Sequence, residues 1–123
     1  MKLICSIGLV VGILAQPTSL KADWMMSGVG VVSCGKIAED YRKDATYTHT
    51  FTMNWAQGYM SGANAVAIGS SGKYRDLQAM TVEEQQQSLR DYCDKHPMAT
   101  FSKAVLDLYN KLPAKSYTPS TSE

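Results

Sequence analysis

The first 22 residues restrict what the rest of the chain can become, because they have the three parts of a secretory signal peptide. A basic start at Lys2 precedes an apolar run from Leu3 to Ala15, and a polar exit leads to Ala22. The apolar run has about 13 residues, whereas a helix that spans a bilayer needs roughly 20. We therefore expect residues 1–22 to be removed, leaving a soluble periplasmic or secreted chain with no stable membrane insertion. The alternative is an uncleaved membrane anchor.

Export also decides the chemistry expected of the cysteines. Cys5 lies in the signal peptide, so the mature chain keeps only Cys34 and Cys93. Two cysteines in an oxidising compartment predict a disulfide, which would close a loop of about 60 residues and contribute about 4 kcal/mol. A metal site would need more ligands than two distant cysteines and two scattered histidines supply. A catalytic thiol would lack an obvious partner.

Length and charge limit the number of domains and the class of partner. Residues 23–123 are enough for one small domain with one core. The 12 basic residues include Lys2 and Lys21, so the mature chain has 10 basic residues against 11 acidic ones. Since no basic run offsets this balance, a nucleic-acid partner is not expected.

The apolar pattern of the first half predicts two helices. Ser33 is a candidate N-cap for a helix from Cys34 to about Asp44, with Ile37, Ala38 and Tyr41 on one face. Residues 46–50 are rich in threonine and predict a loop. The next helix is expected from about Phe51 to Ile68, and its spacing predicts a buried face made of Phe51, Trp55, Tyr59, Ala63 and Val66.

Two glycines lie inside this second helix, at Gly58 and Gly62. Each would cost about 1 kcal/mol relative to alanine unless packing required it. We therefore predict that another backbone approaches the helix closely here. The predicted helix-packing residues are Trp55, Gly58, Tyr59 and Gly62.

The second half predicts two more helices. Thr81 and Glu84 have the spacing of a capping box, and the helix that they start is expected to end before Pro97. Its predicted buried residues are Val82, Leu89, Tyr92 and Cys93, with the glutamines at 85–87 mostly facing water. Pro97 suits the first turn of a last helix, whose apolar face would carry Phe101, Val105, Leu108, Tyr109 and Leu112.

The predicted fold class is therefore all-α, a single small domain of about four helices tied by one disulfide. It would span residues 23–112, between the signal peptide and a tail. Residues 113–123 are rich in serine, threonine and proline, and we predict that this tail is disordered.

No arrangement of side chains typical of an enzyme is evident. His49 and His96 lie in predicted loops without a nearby nucleophile, and Glu83 and Glu84 suit the first turn of a helix. We expect no catalytic residue, no metal and no cofactor, and we expect a protein that is not an enzyme. A small periplasmic enzyme is the alternative from another class.

Particular motifs suggest a family. Trp55, Gly58, Tyr59 and Gly62 form a Trp-x-x-Gly-Tyr-x-x-Gly pattern, and Cys93 begins a Cys-x-x-x-Pro pattern before a short amphipathic helix. From Ser33 to Leu112 the chain resembles the HdeA/HdeB family of small, helical, disulfide-bonded periplasmic proteins. The Gly-Tyr-x-x-Gly and Tyr-x-x-x-His-Pro elements also resemble Tai-type immunity proteins of type VI secretion, which block a peptidoglycan-cleaving toxin.

These resemblances imply binding to other proteins, whether unfolding clients, a toxin or a second copy of this chain in a homodimer. The first implies an acid-stress chaperone that loosens as its carboxylates are neutralised, and the second implies an inhibitor that stays folded. For the chaperone, the candidate client-binding residues are Trp55, Tyr59, Phe101 and Leu108.

Overall fold

The computed structural model describes residues 26–119. Within them, a 3-10 helix at Gly28–Val31 precedes four α-helices and two short strands. These are α1 (Cys34–Lys43), α2 (Ala45–Ser71), β1 (Lys73–Arg75), α3 (Val82–Lys95), α4 (Phe101–Lys111) and β2 (Ala114–Ser116). The disulfide between Cys34 and Cys93 is present, so the predicted all-α domain tied by one disulfide is confirmed.

Two of the predictions concern residues beyond this range. The predicted signal peptide, residues 1–22, lies outside the described residues. So do residues 120–123 at the end of the predicted tail. Between residues 26 and 119, no helix has both the length and the apolar character needed to cross a membrane.

Two helix starts follow the local signals in the sequence. The Ser33 side chain accepts a hydrogen bond from the Lys36 backbone N–H at the start of α1. At the start of α3, the Thr81 N–H donates to Glu84 Oε2 at 2.7 Å, and the Glu84 N–H donates to Thr81 Oγ1 at 3.2 Å. Both partners of each cap lie three residues apart, so the sequence alone predicts them correctly.

The long helix α2 begins six residues earlier than predicted, at Ala45. The Asp44 side chain caps it by accepting from the Tyr47 N–H at 2.9 Å. The prediction of a loop at residues 46–50 is therefore wrong. Thr48 and Thr52 are buried in the core, and the Thr52 hydroxyl donates to the Thr48 carbonyl at 2.7 Å. Burial of these threonines outweighs their weak intrinsic preference for a helix.

The buried face of α2 is also different from the predicted one. Phe51 is 48% exposed and Val66 is 73% exposed, while Trp55 and Tyr59 are half-buried. The helix instead buries residues of a neighbouring row at steps of four, together with one methionine beside it: Thr48, Thr52, Ala56 and Met60, with Met53. Because this row contains two threonines and an alanine, a pattern of large apolar side chains does not reveal it.

Gly58 and Gly62 do not pack against another backbone. A Cβ atom placed on either glycine would meet nothing within 4 Å, and both residues are exposed. The prediction that they allow a close helix contact is therefore wrong. Of the four predicted helix-packing residues, only Trp55 and Tyr59 pack against the core.

We expect Gly58→Ala and Gly62→Ala each to stabilise the protein by about 0.5 to 1 kcal/mol. Both sites have room for a methyl group, and alanine reduces the conformational freedom that the unfolded chain loses on folding. The free energy of unfolding in urea measures this gain. A loss of stability in either variant would mean that the glycines have a packing partner after all.

The last helix starts at Phe101, not at Pro97. The carbonyls of Pro97 and Ala99 accept hydrogen bonds from the Gly35 and Cys34 N–H groups, each at 2.8 Å. The turn before α4 thereby satisfies donors at the start of α1 that have no partner inside that helix. The predicted apolar face of α4 is confirmed, because its members are buried or, for Tyr109, half-buried. They are Phe101, Val105, Leu108, Tyr109 and Leu112.

On α3 the prediction is partly wrong. Leu89 and Cys93 are buried and Tyr92 is half-buried, but Val82 is 40% exposed. Gln85, predicted to face water with its neighbours, is buried. Its amide donates to the carbonyls of Leu77 and Met80 at 2.8 and 3.1 Å. These hydrogen bonds to the loop before α3 satisfy the NH2 group of the buried amide.

Part of the predicted disordered tail is a strand. Residues 114–116 pair antiparallel with β1, in the register Lys73 to Ser116 and Arg75 to Ala114. The Tyr117 N–H continues the pairing by donating to the Gly72 carbonyl at 2.8 Å. The composition of the tail does not reveal this strand, because its partner lies about 40 residues away and the pairing uses backbone groups.

Asn64 connects this small sheet to the helices. Its side chain accepts from the Arg75 N–H at 2.7 Å and donates to the Arg75 carbonyl at 2.8 Å, as a neighbouring strand would. The Tyr109 hydroxyl also donates to Asn64 Oδ1, at 2.9 Å. One amide thus joins α2, β1 and α4, which accounts for a polar residue on this side of α2.

Candidate protein-binding face

Four aromatic residues at steps of four lie along one side of α2, where they form two stacked pairs. We call them the aromatic ladder: Tyr47, Phe51, Trp55 and Tyr59. Side chains four apart in a helix lie one above the other. The ring centroids of Tyr47 and Phe51 are 6.1 Å apart with 11° between the ring planes, and those of Trp55 and Tyr59 are 5.3 Å apart with 16°.

Exposure changes along the ladder. Tyr47 is 67% exposed and Phe51 is 48% exposed, whereas Trp55 and Tyr59 are half-buried and pack against the core. Trp55 also meets Phe101 of α4, with the ring centroids 6.1 Å apart. The ladder therefore has an exposed outer pair and an inner pair that packs against the core. Its outer end is an exposed aromatic surface of the kind that marks interaction sites.

A shallow apolar cavity of about 310 Å³ lies beside this outer end, between the 3-10 helix, α1 and α2. Three charged residues, Asp40, Lys43 and Asp44, lie at this cavity. Its remaining lining is mostly apolar and includes Val29, Val32, Ile37, Tyr47, Thr48 and Phe51. An apolar surface with a charged edge suits an apolar peptide segment better than a polar small molecule.

The segment before α1 holds the inner end of the ladder in place. The Trp55 Nε1–H donates to the Ser27 carbonyl at 3.2 Å. Gly30 lies directly against the indole, because a Cβ at Gly30 would come within 2.8 Å of the ring carbons Cζ2, Cη2 and Cε2. The close approach predicted at Gly58 and Gly62 is thus found at Gly30. Nothing in the local sequence distinguishes Gly30 from the other glycines, since the contact depends on a residue 25 positions away.

Two ion pairs lower the pKa values of their carboxyl groups. On α1, Lys43 pairs with Glu39, and the hydrogen bond from Lys43 lowers the pKa of the Glu39 carboxyl. At the small sheet, Lys115 of β2 pairs with Asp76 at 2.6 Å. The hydrogen bond from Lys115, followed by one from the Gln78 N–H, lowers the pKa of Asp76.

The four predicted client-binding residues divide into two groups. Trp55 and Tyr59 stack together on the ladder and have exposed surface. Phe101 touches Trp55 but is buried, and Leu108 is buried further along α4. Tyr47 belongs to this surface as well, although it was not among the predicted site residues. Its signal was present as a fourth aromatic residue in the same four-residue repeat, but it fell in the segment predicted to be a loop.

The disulfide is buried beneath α1. Cys34 and Cys93 are both buried, and their Cα atoms are 4.7 Å apart. The bridge joins the first residue of α1 to α3 near its end. His49 lies on α2, and His96 follows α3, where its N–H donates to the carbonyls of Tyr92 and Cys93. Residues 26–119 contain no cluster of three or more His, Cys, Asp or Glu side chains arranged to hold a metal ion.

No family model, no curated protein and no solved structure matches this chain at a significant level. The resemblances to the HdeA/HdeB family and to the Tai-type proteins thus remain hypotheses.

Proposed function

We propose that the mature protein is a periplasmic protein-binding module that acts as an acid-stress chaperone of the HdeA/HdeB kind. The observation that carries this proposal is the aromatic ladder, which has an exposed outer pair at Tyr47 and Phe51 and an inner residue, Trp55, that meets the buried Phe101. Aromatic rings held on a helix provide apolar contact area at a low cost in side-chain entropy. An unfolding client presents apolar segments that such a surface can cover.

The ion pairs support acid as the trigger. Glu39 and Asp76 have lowered pKa values because of Lys43 and Lys115. A carboxyl whose pKa is lower in the folded state stabilises the fold above its unfolded pKa of about 4, and that contribution is lost as the pH falls through the folded value. Acid therefore weakens the pair on α1 and the pair that holds β2 to the loop after β1.

Charge repulsion adds to this loss. Below about pH 3 most carboxylates are neutral. The 10 lysines and arginines of the mature chain, both histidines and the amino terminus are then positive. Repulsion among them loosens the packing, so that Phe101 and Leu108 join the ladder as contact surface. The disulfide keeps α1 attached to α3 while this happens.

The chaperone proposal predicts that the mature protein at pH 2 to 3 suppresses aggregation of an acid-denatured client and releases it on neutralisation. A Tyr47→Ser/Phe51→Ser double variant should need about ten times more protein for the same protection, because it lacks two apolar rings. Light scattering of the client measures protection. Val66→Ser is the matched control, since Val66 is an exposed apolar residue of the same helix outside the ladder.

Two results would contradict the chaperone proposal. One is a protein that stays native-like and inactive at pH 2. The other is a protein that unfolds there but protects no client, since acid expansion alone is common among ordinary proteins.

A Tai-type immunity function is the second candidate, and a specific observation favours it. The outer end of the ladder and the cavity beside it are open in the folded state, so binding to them needs no acid. On this proposal the folded protein forms a 1:1 complex at pH 7 with a peptidoglycan-cleaving toxin and inhibits it. The Tyr47→Ser/Phe51→Ser variant should lose this inhibition, while Val66→Ser should keep it. Protection of clients at acid pH without any inhibition at pH 7 would exclude this candidate.

A further inference from the structure

A second cavity, of about 210 Å³, lies between α1, the start of α2, α3 and α4. It is separate from the aromatic ladder, none of whose residues lines it. Its floor is apolar and its polar lining groups are few. The floor residues are Ile37, Ala38, Leu89, Cys93 and Phe101, and the charged residues at the cavity are Arg42, Arg90 and Asp94.

Arg90 is held in place over an aromatic ring. Its guanidinium carbon is 5.2 Å from the centroid of the Tyr41 ring, within the range of a cation–π interaction. The Tyr41 ring is itself fixed by its hydroxyl, which lies 3.2 Å from the Thr52 hydroxyl and accepts from the Gln86 amide at 3.3 Å. Because Tyr41 is anchored to both α2 and α3, the guanidinium is positioned before any ligand arrives.

The guanidinium groups at the cavity are available to a ligand. Among the described residues, neither Arg42 nor Arg90 belongs to an ion pair with a carboxylate; the pairs found involve only lysines. Asp94 also lines the cavity, so the lining has two positive charges and one negative charge. An anion is therefore favoured over a cation at this site. A guanidinium presents N–H groups in a fork that matches the two oxygens of a carboxylate.

The apolar floor and the volume of the cavity limit the size and polarity of the rest of the ligand. An apolar cavity of about 150 Å³ is large enough to bind benzene, so this one accommodates a ring with a short substituent. A bare inorganic anion would leave the apolar floor uncovered, and a pure hydrocarbon would make no use of the two guanidinium groups. We propose that the cavity binds a small monocarboxylate with an apolar ring, the ring against Ile37 and Leu89 and the carboxylate at Arg42 and Arg90.

Phenylacetate is the probe, added to the disulfide-bonded mature protein at pH 7 and followed by NMR. We expect a dissociation constant of the order of 1 mM, as is usual for a ligand of this size, with shifts concentrated at the amides of α1 and α3 that line the cavity. Phenylacetamide has the same shape without the charge. It should bind about tenfold more weakly, because charge-assisted hydrogen bonds to the arginines are lost.

Variants locate the site. Ala38→Leu fills the floor and should abolish binding of both compounds, whereas Arg90→Gln should weaken phenylacetate about tenfold and leave phenylacetamide unchanged. Lys103→Gln removes an exposed cation outside the cavity and should change neither affinity. Tyr47→Ser/Phe51→Ser should also leave binding intact, so this result is independent of the protein-binding proposal. Thermal unfolding of each variant checks that it is folded.

Three outcomes would overturn the proposal. The first is no binding of phenylacetate at about 10 mM, which is ten times the expected dissociation constant. The second is equal affinity for the acid and the amide, and the third is binding that survives Ala38→Leu in a folded protein.

Discussion

Gly30→Ala should destabilise the protein by about 3 kcal/mol or more, the upper range of overpacking substitutions. The new methyl group would overlap the Trp55 indole, and the indole has little freedom to move away. Its N–H donates to the Ser27 carbonyl, its ring stacks on Tyr59, and it also meets the tilted ring of Phe101. The free energy of unfolding in urea and the near-ultraviolet circular dichroism of the aromatic residues measure the effect.

Gly58→Ala is the matched control for this prediction. It adds the same methyl group to an exposed glycine with no neighbour within 4 Å, and we expect it to stabilise the protein. A second test places Gly30→Ala in a Trp55→Phe background. There the Gly30→Ala substitution should cost less stability than it does in the natural protein, because the smaller ring leaves room for the methyl group. If Gly30→Ala proved as stable as the unmodified protein, the segment before α1 would not lie against Trp55 as described.

Removal of the disulfide should cost about 4 kcal/mol, from the loss of a cross-link that closes a loop of about 60 residues. This is a large fraction of the 5 to 15 kcal/mol typical of a whole domain, so we expect most molecules to unfold well below the normal melting temperature. Reduction of the natural protein and the Cys34→Ala/Cys93→Ala variant both remove the bridge. Urea unfolding of each gives the loss directly.

The two ways of removing the bridge separate its effects. Reduction keeps both buried side chains, whereas the double alanine variant also removes two sulfur atoms from the core. A similar loss in both would identify the cross-link itself as the source of the stability. Two alkylatable thiols in native protein expressed in a bacterial periplasm, or a reduced protein as stable as the oxidised one, would contradict the prediction.

The parts of the fold that were predicted correctly depend on residues close together in the sequence. Thr81 and Glu84 cap α3 through two hydrogen bonds across one turn, and Ser33 caps α1 in a similar way. The buried row of α4 follows from large apolar side chains at helical spacing, and Leu108 is its clearest member. The bridge between Cys34 and Cys93 follows from there being only two cysteines after the predicted signal peptide.

Only part of the candidate site could be predicted from residues close together in the sequence. The sequence identified Trp55 and Tyr59 as members of an aromatic row on a helix, and both lie on the ladder. It assigned that row to the core, although Phe51 at its outer end is half exposed. The two arginines at the second cavity had no signal at all, because Arg42 and Arg90 meet only when α1 packs beside α3.

By itself, then, the sequence determined the helical class, the helix caps at Ser33 and Thr81, the apolar face of α4 and the one disulfide. These depend on hydrogen bonds within a turn, on side-chain spacing along a helix, or on the identity of two residues. Tertiary structure alone decided which face of α2 is buried, where a glycine is required and that residues 114–116 pair with β1. Each of these depends on what another segment supplies: a core that accepts Thr48 and Thr52, an indole against Gly30, and the backbone groups of Lys73–Arg75. A residue's own neighbours in sequence carry no information about a partner that only folding brings near.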